Sequence, residues 1–71
     1  MNSIDNFMSL FRDMNLKLNG KLMVKIESGN TTNITVFQGN KKIFSVLAAS
    51  MNAAVDLAFS KLMDYKKEVF V

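Results

Sequence analysis

The 71-residue chain contains no cysteine and no histidine. Disulfide staples are therefore excluded, and so are the Cys and His clusters that hold transition metals. The residue type most used as a general base near neutral pH is missing too. There is no proline, hence no Pro-rich linker, and no tract of low complexity or internal repeat interrupts the chain. The three glycines, Gly20, Gly29 and Gly39, stand alone in turn-forming contexts. None belongs to a phosphate-cradling loop. No apolar run reaches the roughly 20 residues of a membrane span. No basic segment followed by an apolar one marks a secretion signal, so a cytoplasmic location is the expectation.

These absences argue against catalysis. The six acids, Asp5, Asp13, Glu27, Asp56, Asp64 and Glu68, all fall on solvent-facing positions of helices or strands. Asp56 with Ser60, or Asp64 with Lys61, reads as helix-face solvation rather than as a site. The six methionines sit mostly at helical or core positions, where soft filling is their ordinary use. A protein without enzymatic activity, cofactor or metal is the expectation.

At this length the chain makes one small domain, residues 1–71. Such a domain buries only about 60% of its unfolded surface. With disulfides and metals unavailable, self-association is the remaining staple, and a homodimer is expected. Nine Lys and Arg against six Asp and Glu give a formal charge of +3. That mild basicity permits a polyanion partner without requiring one. Eight lysines to one arginine, with eight asparagines, is the usage of an AT-rich genome, bacterial or phage.

What is present centres on the stretch 21–47. Leu22, Val24 and Ile26 alternate with Met23, Lys25 and Glu27, the period of a strand with one buried face. Ser28-Gly29-Asn30-Thr31-Thr32-Asn33 is a cluster of turn formers. Ile34-Thr35-Val36-Phe37 is a second strand, β-branched and aromatic. Gln38-Gly39-Asn40-Lys41 is the next turn, and Ile43-Phe44-Ser45-Val46-Leu47 a third strand. Connections this short force antiparallel neighbours, so the three strands form a meander.

The register of the second hairpin has two solutions. With a two- or four-residue loop, Val36 pairs with Ile43, and Phe37, Phe44 and Val46 share the face opposite Ile34 and Val36. With a three-residue loop, Phe44 and Val46 join Ile34 and Val36, and Phe37 and Ile43 lie opposite. Both solutions put apolar side chains on both faces. Two helices of this size cover one face, so the other should show Met23, Lys25, Thr35, Phe37 and either Phe44 or Ile43. The plainer expectation is that the tail, Val69-Phe70-Val71, wraps the sheet edge. The sharper one is a partner surface built on Met23, Thr35, Phe37 and Phe44.

Helical segments flank the strands. Ile4, Phe7, Phe11, Met14 and Leu18 recur at spacings of three and four, with Met8 and Leu10 beside them. Met1-Asn2 should fray, and Ser3 is the candidate N-cap. Asn19-Gly20 reads as the helix stop, against the competing reading of a type I′ hairpin turn. The second helix follows Ser50 or Asn52 as N-cap, with the stripe Ala54, Val55, Ala58, Leu62 and Tyr65. The expected fold is α+β, a three-stranded antiparallel meander with two helices packed on one face.

The order α-β-β-β-α resembles the double-stranded RNA-binding domain. The segment from Phe44 through Ala58 is similar to that family's third strand running into an Ala-rich second helix. The resemblance implies contacts with A-form RNA at three places. By position these are Asn6, Ser9 and Arg12; Gly29, Asn30 and Thr31; and the start of the second helix. At the last place the family carries consecutive lysines, and this chain has Ser50, Met51 and Asn52.

Two functions follow as expectations. The first is a small module binding RNA or a ribonucleoprotein, with Arg12, Lys21, Lys25, Asn30, Lys41 and Lys42 as contacts and Phe37 or Phe44 stacking on unpaired bases. Against it stands the ordinary use of edge lysines to discourage aggregation. The second is a protein-interaction module acting through the apolar sheet face, such as an antitoxin-like or counter-defence inhibitor occupying a host protein.

Overall fold

The computed structural model describes residues 3–70. The order is α1 (Ser3–Lys17), β1 (Leu22–Ser28), β2 (Thr32–Gln38), β3 (Lys41–Ala48) and α2 (Met51–Val69). The strands form one antiparallel sheet in the order β1-β2-β3. The α+β meander with both helices on one face is thus the architecture found. Each strand runs a residue or more beyond the apolar pattern that marks it. Met1, Asn2, the Ser3 side chain and Val71 lie outside the described residues, and with them the expected fraying and the Ser3 cap.

The core is a single cluster. Phe7, Leu10, Phe11 and Met14 of α1, Leu22, Ile34, Val36 and Val46 of the sheet, and Ala54, Val55, Ala58 and Leu62 of α2 are all buried. Ala54 and Ala58 lack bulk, which lets α2 lie close over β2 and β3. Helix α1 packs mainly on α2 and meets the sheet chiefly at β1. Consequently Ile26, on the helix-facing side of β1, remains 40% exposed. The shortest dimension, 17 Å, has room for one helix layer on one sheet and nothing more.

Local chemistry sets the boundaries. The N–H of Gly20 donates to the carbonyl of Asn15 (2.7 Å), and that of Asn19 to Leu16 (3.3 Å). Asn19 has φ 60°. This is a Schellman closure with asparagine in the left-handed position. The same dipeptide closes a second turn, Lys21 N–H to Leu18 carbonyl at 3.3 Å, with both central residues at positive φ. Helix stop and I′-like turn therefore coexist. The Asn15 side chain then anchors the strand, its Oδ1 accepting from the Leu22 N–H at 2.9 Å. At α2, Ser50 is the N-cap, and its Oγ accepts from the Ala53 N–H at 3.2 Å.

The β2–β3 hairpin combines the two registers. Its loop has two residues, Gly39-Asn40, with Gln38 opposite Lys41. Gly39 alone has positive φ, the requirement of the first central position of a type II′ turn. Phe37 pairs with Lys42, but Val36 pairs with Phe44, because a bulge intervenes. Ile43 is the extra residue. The bulge shifts the strand by one, so Phe44 and Val46 join Ile34 and Val36 on the helix side. Ile43 packs against the core as well. Neither Phe44 nor Ile43 reaches the open face, which corrects the placement of Phe44 in a partner surface. Of the tail expected to wrap the sheet edge, Phe70 packs against the core, beneath the Lys17 ammonium, and Val71 lies outside the described residues.

Leu62→Ala should lower unfolding free energy by about 2–5 kcal/mol, and Ser50→Ala by about 1 kcal/mol. Urea denaturation followed by circular dichroism measures both. An unchanged midpoint for Leu62→Ala would contradict the central packing of α2.

Candidate functional site

Topology brings the lysines to one end. Helix α1 runs towards the start of β1, which pairs with the end of β2 beside the Gly39 turn. Helix α2 runs back along the sheet to the same end. The Lys21 carbonyl accepts the Gly39 N–H at 2.9 Å, so the α1–β1 junction abuts the hairpin. The Tyr65 hydroxyl donates to Gln38 Oε1, tying the last turns of α2 to the same hairpin. The Lys17 ammonium lies 5.3 Å from the centre of the Phe70 ring, joining the two helix C-termini. Lys17, Lys21, Lys41, Lys42, Lys66 and Lys67 thus share one end, six of the eight lysines of the chain. All are exposed except Lys66, which is half-buried.

Two acids, Asp64 and Glu68, border this end on α2. The remainder of the chain sets Arg12, Lys25 and Lys61 against Asp5, Asp13, Glu27 and Asp56. The whole positive excess of the protein is therefore at the lysine-rich end. Three of these lysines also sit in last helical turns, where a cation offsets the partial negative charge of the helix terminus by about 0.3–1 kcal/mol. That stabilising role accounts for Lys17, Lys66 and Lys67. It does not account for Lys21, Lys41 and Lys42, which lie on a turn and a strand start.

The open face continues from this end. Its rows, read across the sheet, are Met23–Phe37–Lys42, Lys25–Thr35–Ser45 and Glu27–Asn33–Leu47. Met23 is 63% exposed and Leu47 61%. Phe37 is half-buried and stands outside the core cluster. Between them lies a closed hydrogen-bond cycle. The Thr35 hydroxyl donates to Asn33 Oδ1 (3.0 Å), and the Asn33 amide donates to Ser45 Oγ (3.2 Å). Ser45 Oγ is 3.2 Å from Thr35 Oγ1, and since the Thr35 proton is engaged, Ser45 donates there. Lys25 faces Glu27 on the same strand at 3.7 Å, which partly neutralises it.

The expected contacts divide accordingly. Lys21, Lys41 and Lys42 come together. The bulge-bearing strand sends Lys42 to the open face and Lys41 to the helix side. Lys25 sits mid-face, Arg12 is exposed on α1, and Asn30 is in the β1–β2 loop at the opposite end. A seven-residue strand separates that loop from the lysines, about 23 Å. The shallow hollow around Asn30 is lined by Glu27, Ser28, Gly29, Thr31 and Asn33 and carries no cation. Of the expected partner surface, Met23 and Phe37 are on the open face and accessible. Thr35 is on it but 8% exposed, its hydroxyl held in the cycle.

Lys17, Lys66 and Lys67 were legible in sequence only as helix-end charges, and the α-β-β-β-α order is the signal that joins them to the hairpin. The polar cycle and Leu47 needed the register. A cavity of about 260 Å³ lies behind the bulge, between Ile43 and Phe44 and the α2 residues Lys61, Asp64, Tyr65 and Glu68. Among the described residues no group of acids is placed to hold a metal ion, and no helix is long and apolar enough to cross a membrane. No family model, characterised protein or solved structure matches this chain.

Tyr65→Phe removes the link between α2 and the hairpin. It should cost about 0.5–1.5 kcal/mol in urea denaturation, with faster amide exchange at Gly39 and Lys41. Wild-type exchange at the hairpin would show that the link does not hold the lysine-rich end together.

Proposed function

We propose that this protein binds RNA, alone or within a ribonucleoprotein, without catalysing a reaction. The observation that supports the reading is the gathering of Lys17, Lys21, Lys41, Lys42, Lys66 and Lys67 at one end of a chain whose remainder has no positive excess. Lysine is a compact point charge with three rotatable donors and no fixed fork. A cluster of lysines therefore suits phosphates in many positions and reads little sequence, as backbone-directed binding does. The Asn and Lys usage fits a bacterial or phage regulator. The three places implied by the resemblance to double-stranded RNA-binding domains carry one cation between them, Arg12. The binding end proposed here is the other one.

A protein partner on the open sheet face is the second reading, whether a host protein or a second copy of the chain. Met23 and Leu47, each more than 60% exposed, favour it. The Asn33–Thr35–Ser45 cycle lies between them and breaks the apolar surface. Interface cores are depleted of such polarity relative to the rim, so the RNA reading takes precedence.

The test is a salt titration of RNA affinity, with the protein freed of nucleic acid and its sedimentation recorded. For Lys41→Ala with Lys42→Ala, affinity should fall. The slope of log affinity against log salt should flatten by roughly 1.4, since each single-strand phosphate left without its lysine takes away about 0.7. Asn30→Ala should leave both unchanged. An unaltered slope in the double variant would overturn the assignment. Loss of self-association or of a protein partner in Leu47→Asp, without RNA binding in the wild type, would transfer the function to the sheet face.

A further inference from the structure

Resting on the RNA reading, we infer that the bound strand is unpaired and that Phe37 is the platform on which one of its bases stacks. Phe37 is the one aromatic side chain on the face of the sheet that the helices leave open. It stands outside the core cluster, so its ring is not needed to fill the interior. Its cross-strand neighbours are Met23 on β1 and Lys42 on β3. Directly opposed residues in a sheet have Cβ atoms about 5 Å apart, so the Lys42 ammonium lies within reach of a phosphate attached to a base resting on the ring. Met23, flexible and mostly exposed, adds a polarisable wall beside it.

The rest of the row structure agrees. One step further from the lysine-rich end lies the Asn33–Thr35–Ser45 cycle. It uses one amide proton of Asn33 and leaves the other for an incoming acceptor. A base on Phe37 therefore has cations on one side and a fixed amide and hydroxyl surface on the other. A duplex cannot use this arrangement. Its bases are stacked within the helix, and the domains that recognise it by shape contact phosphates and 2′-hydroxyls over about 16 base pairs. Here the positive excess is confined to one end of a molecule 34 Å in its longest dimension, and the other three cations are offset by acids. An unpaired strand offers both a flexible run of phosphates to the lysines and free base faces to the ring.

The chain has no tryptophan, so Phe37→Trp installs a single indole at the platform. Three probes are titrated: an unpaired RNA oligonucleotide, the same sequence as a blunt duplex, and polyphosphate, which has charge and no bases. The unpaired RNA should quench the indole. Polyphosphate should compete for the lysines without quenching, and the duplex should bind more weakly than the single strand. Phe37→Leu should weaken the unpaired RNA by roughly 5- to 150-fold, the range for one stacked base, and leave polyphosphate affinity unchanged. In the wild-type protein, ring protons of Phe37 should move upfield on adding the unpaired RNA, a readout that no variant can confound by misfolding. Lysine-dependent RNA binding with a silent indole and unmoved ring protons would overturn the stacking inference and leave the RNA reading intact. A duplex bound as tightly as the single strand would overturn the inference in the same way. Absence of binding to all three probes would remove the RNA reading and this inference with it.

Discussion

The contact between the small stripe of α2 and the central strand holds the arrangement together. Ala54, Ala58 and Leu62 on one side, and Ile34 and Val36 on the other, have no solvent exposure. Two alanines at a spacing of four allow the helix to descend onto β-branched residues that are stiff and stand up from the sheet. Because α1 leans chiefly on α2, its position follows from this contact too. The helices are thereby committed to one face, and no other described element covers the opposite one. The open face is a consequence of the packing, and not a separate feature of the sequence.

The bulge at Ile43 adjusts the sheet to that commitment. A two-residue turn with glycine in its first central position fixes Gln38 opposite Lys41. Carried forward without interruption, that pairing would turn Phe44 and Val46 to the solvent face. One inserted residue reverses the phase, which is how bulges commonly re-aim side chains. Val46 is buried, Phe44 and Ile43 line the space beneath α2, and Lys42 remains beside Phe37 on the open side. The same residue thus packs beneath α2 and lets Lys42 stay on the open face while Phe44 and Val46 turn to the core.

Charge is distributed by topology. Both helices end where the hairpin turns, so the cations that favour helix C-termini also raise the potential at the hairpin. A stabilising habit of individual helices becomes a property of one pole of the molecule. The resemblance to double-stranded RNA-binding domains proposed from the order of elements would act through regions that carry almost no positive charge. Fold and site are separate matters here, as they commonly are among small α+β domains.

The class of fold, the two helical stripes and the three strands were readable from the chain alone, because apolar periodicity and turn chemistry are local properties; the cap of the second helix was narrowed to Ser50 or Asn52, and packing selected Ser50. So was the end of the first helix at Asn19-Gly20, since few residues tolerate the left-handed backbone there. Arg12, Lys21, Lys25, Asn30, Lys41 and Lys42 could be named as polar and exposed, but not sorted. Their grouping, and the addition of Lys17, Lys66 and Lys67, depended on which ends of the elements meet, a relation between residues as many as 50 positions apart (Lys17 to Lys67). The face of Phe44 was open until the elements packed. A hairpin of short loop admits two phases of nearly equal local merit, and burial against α2 selects between them through one extra residue.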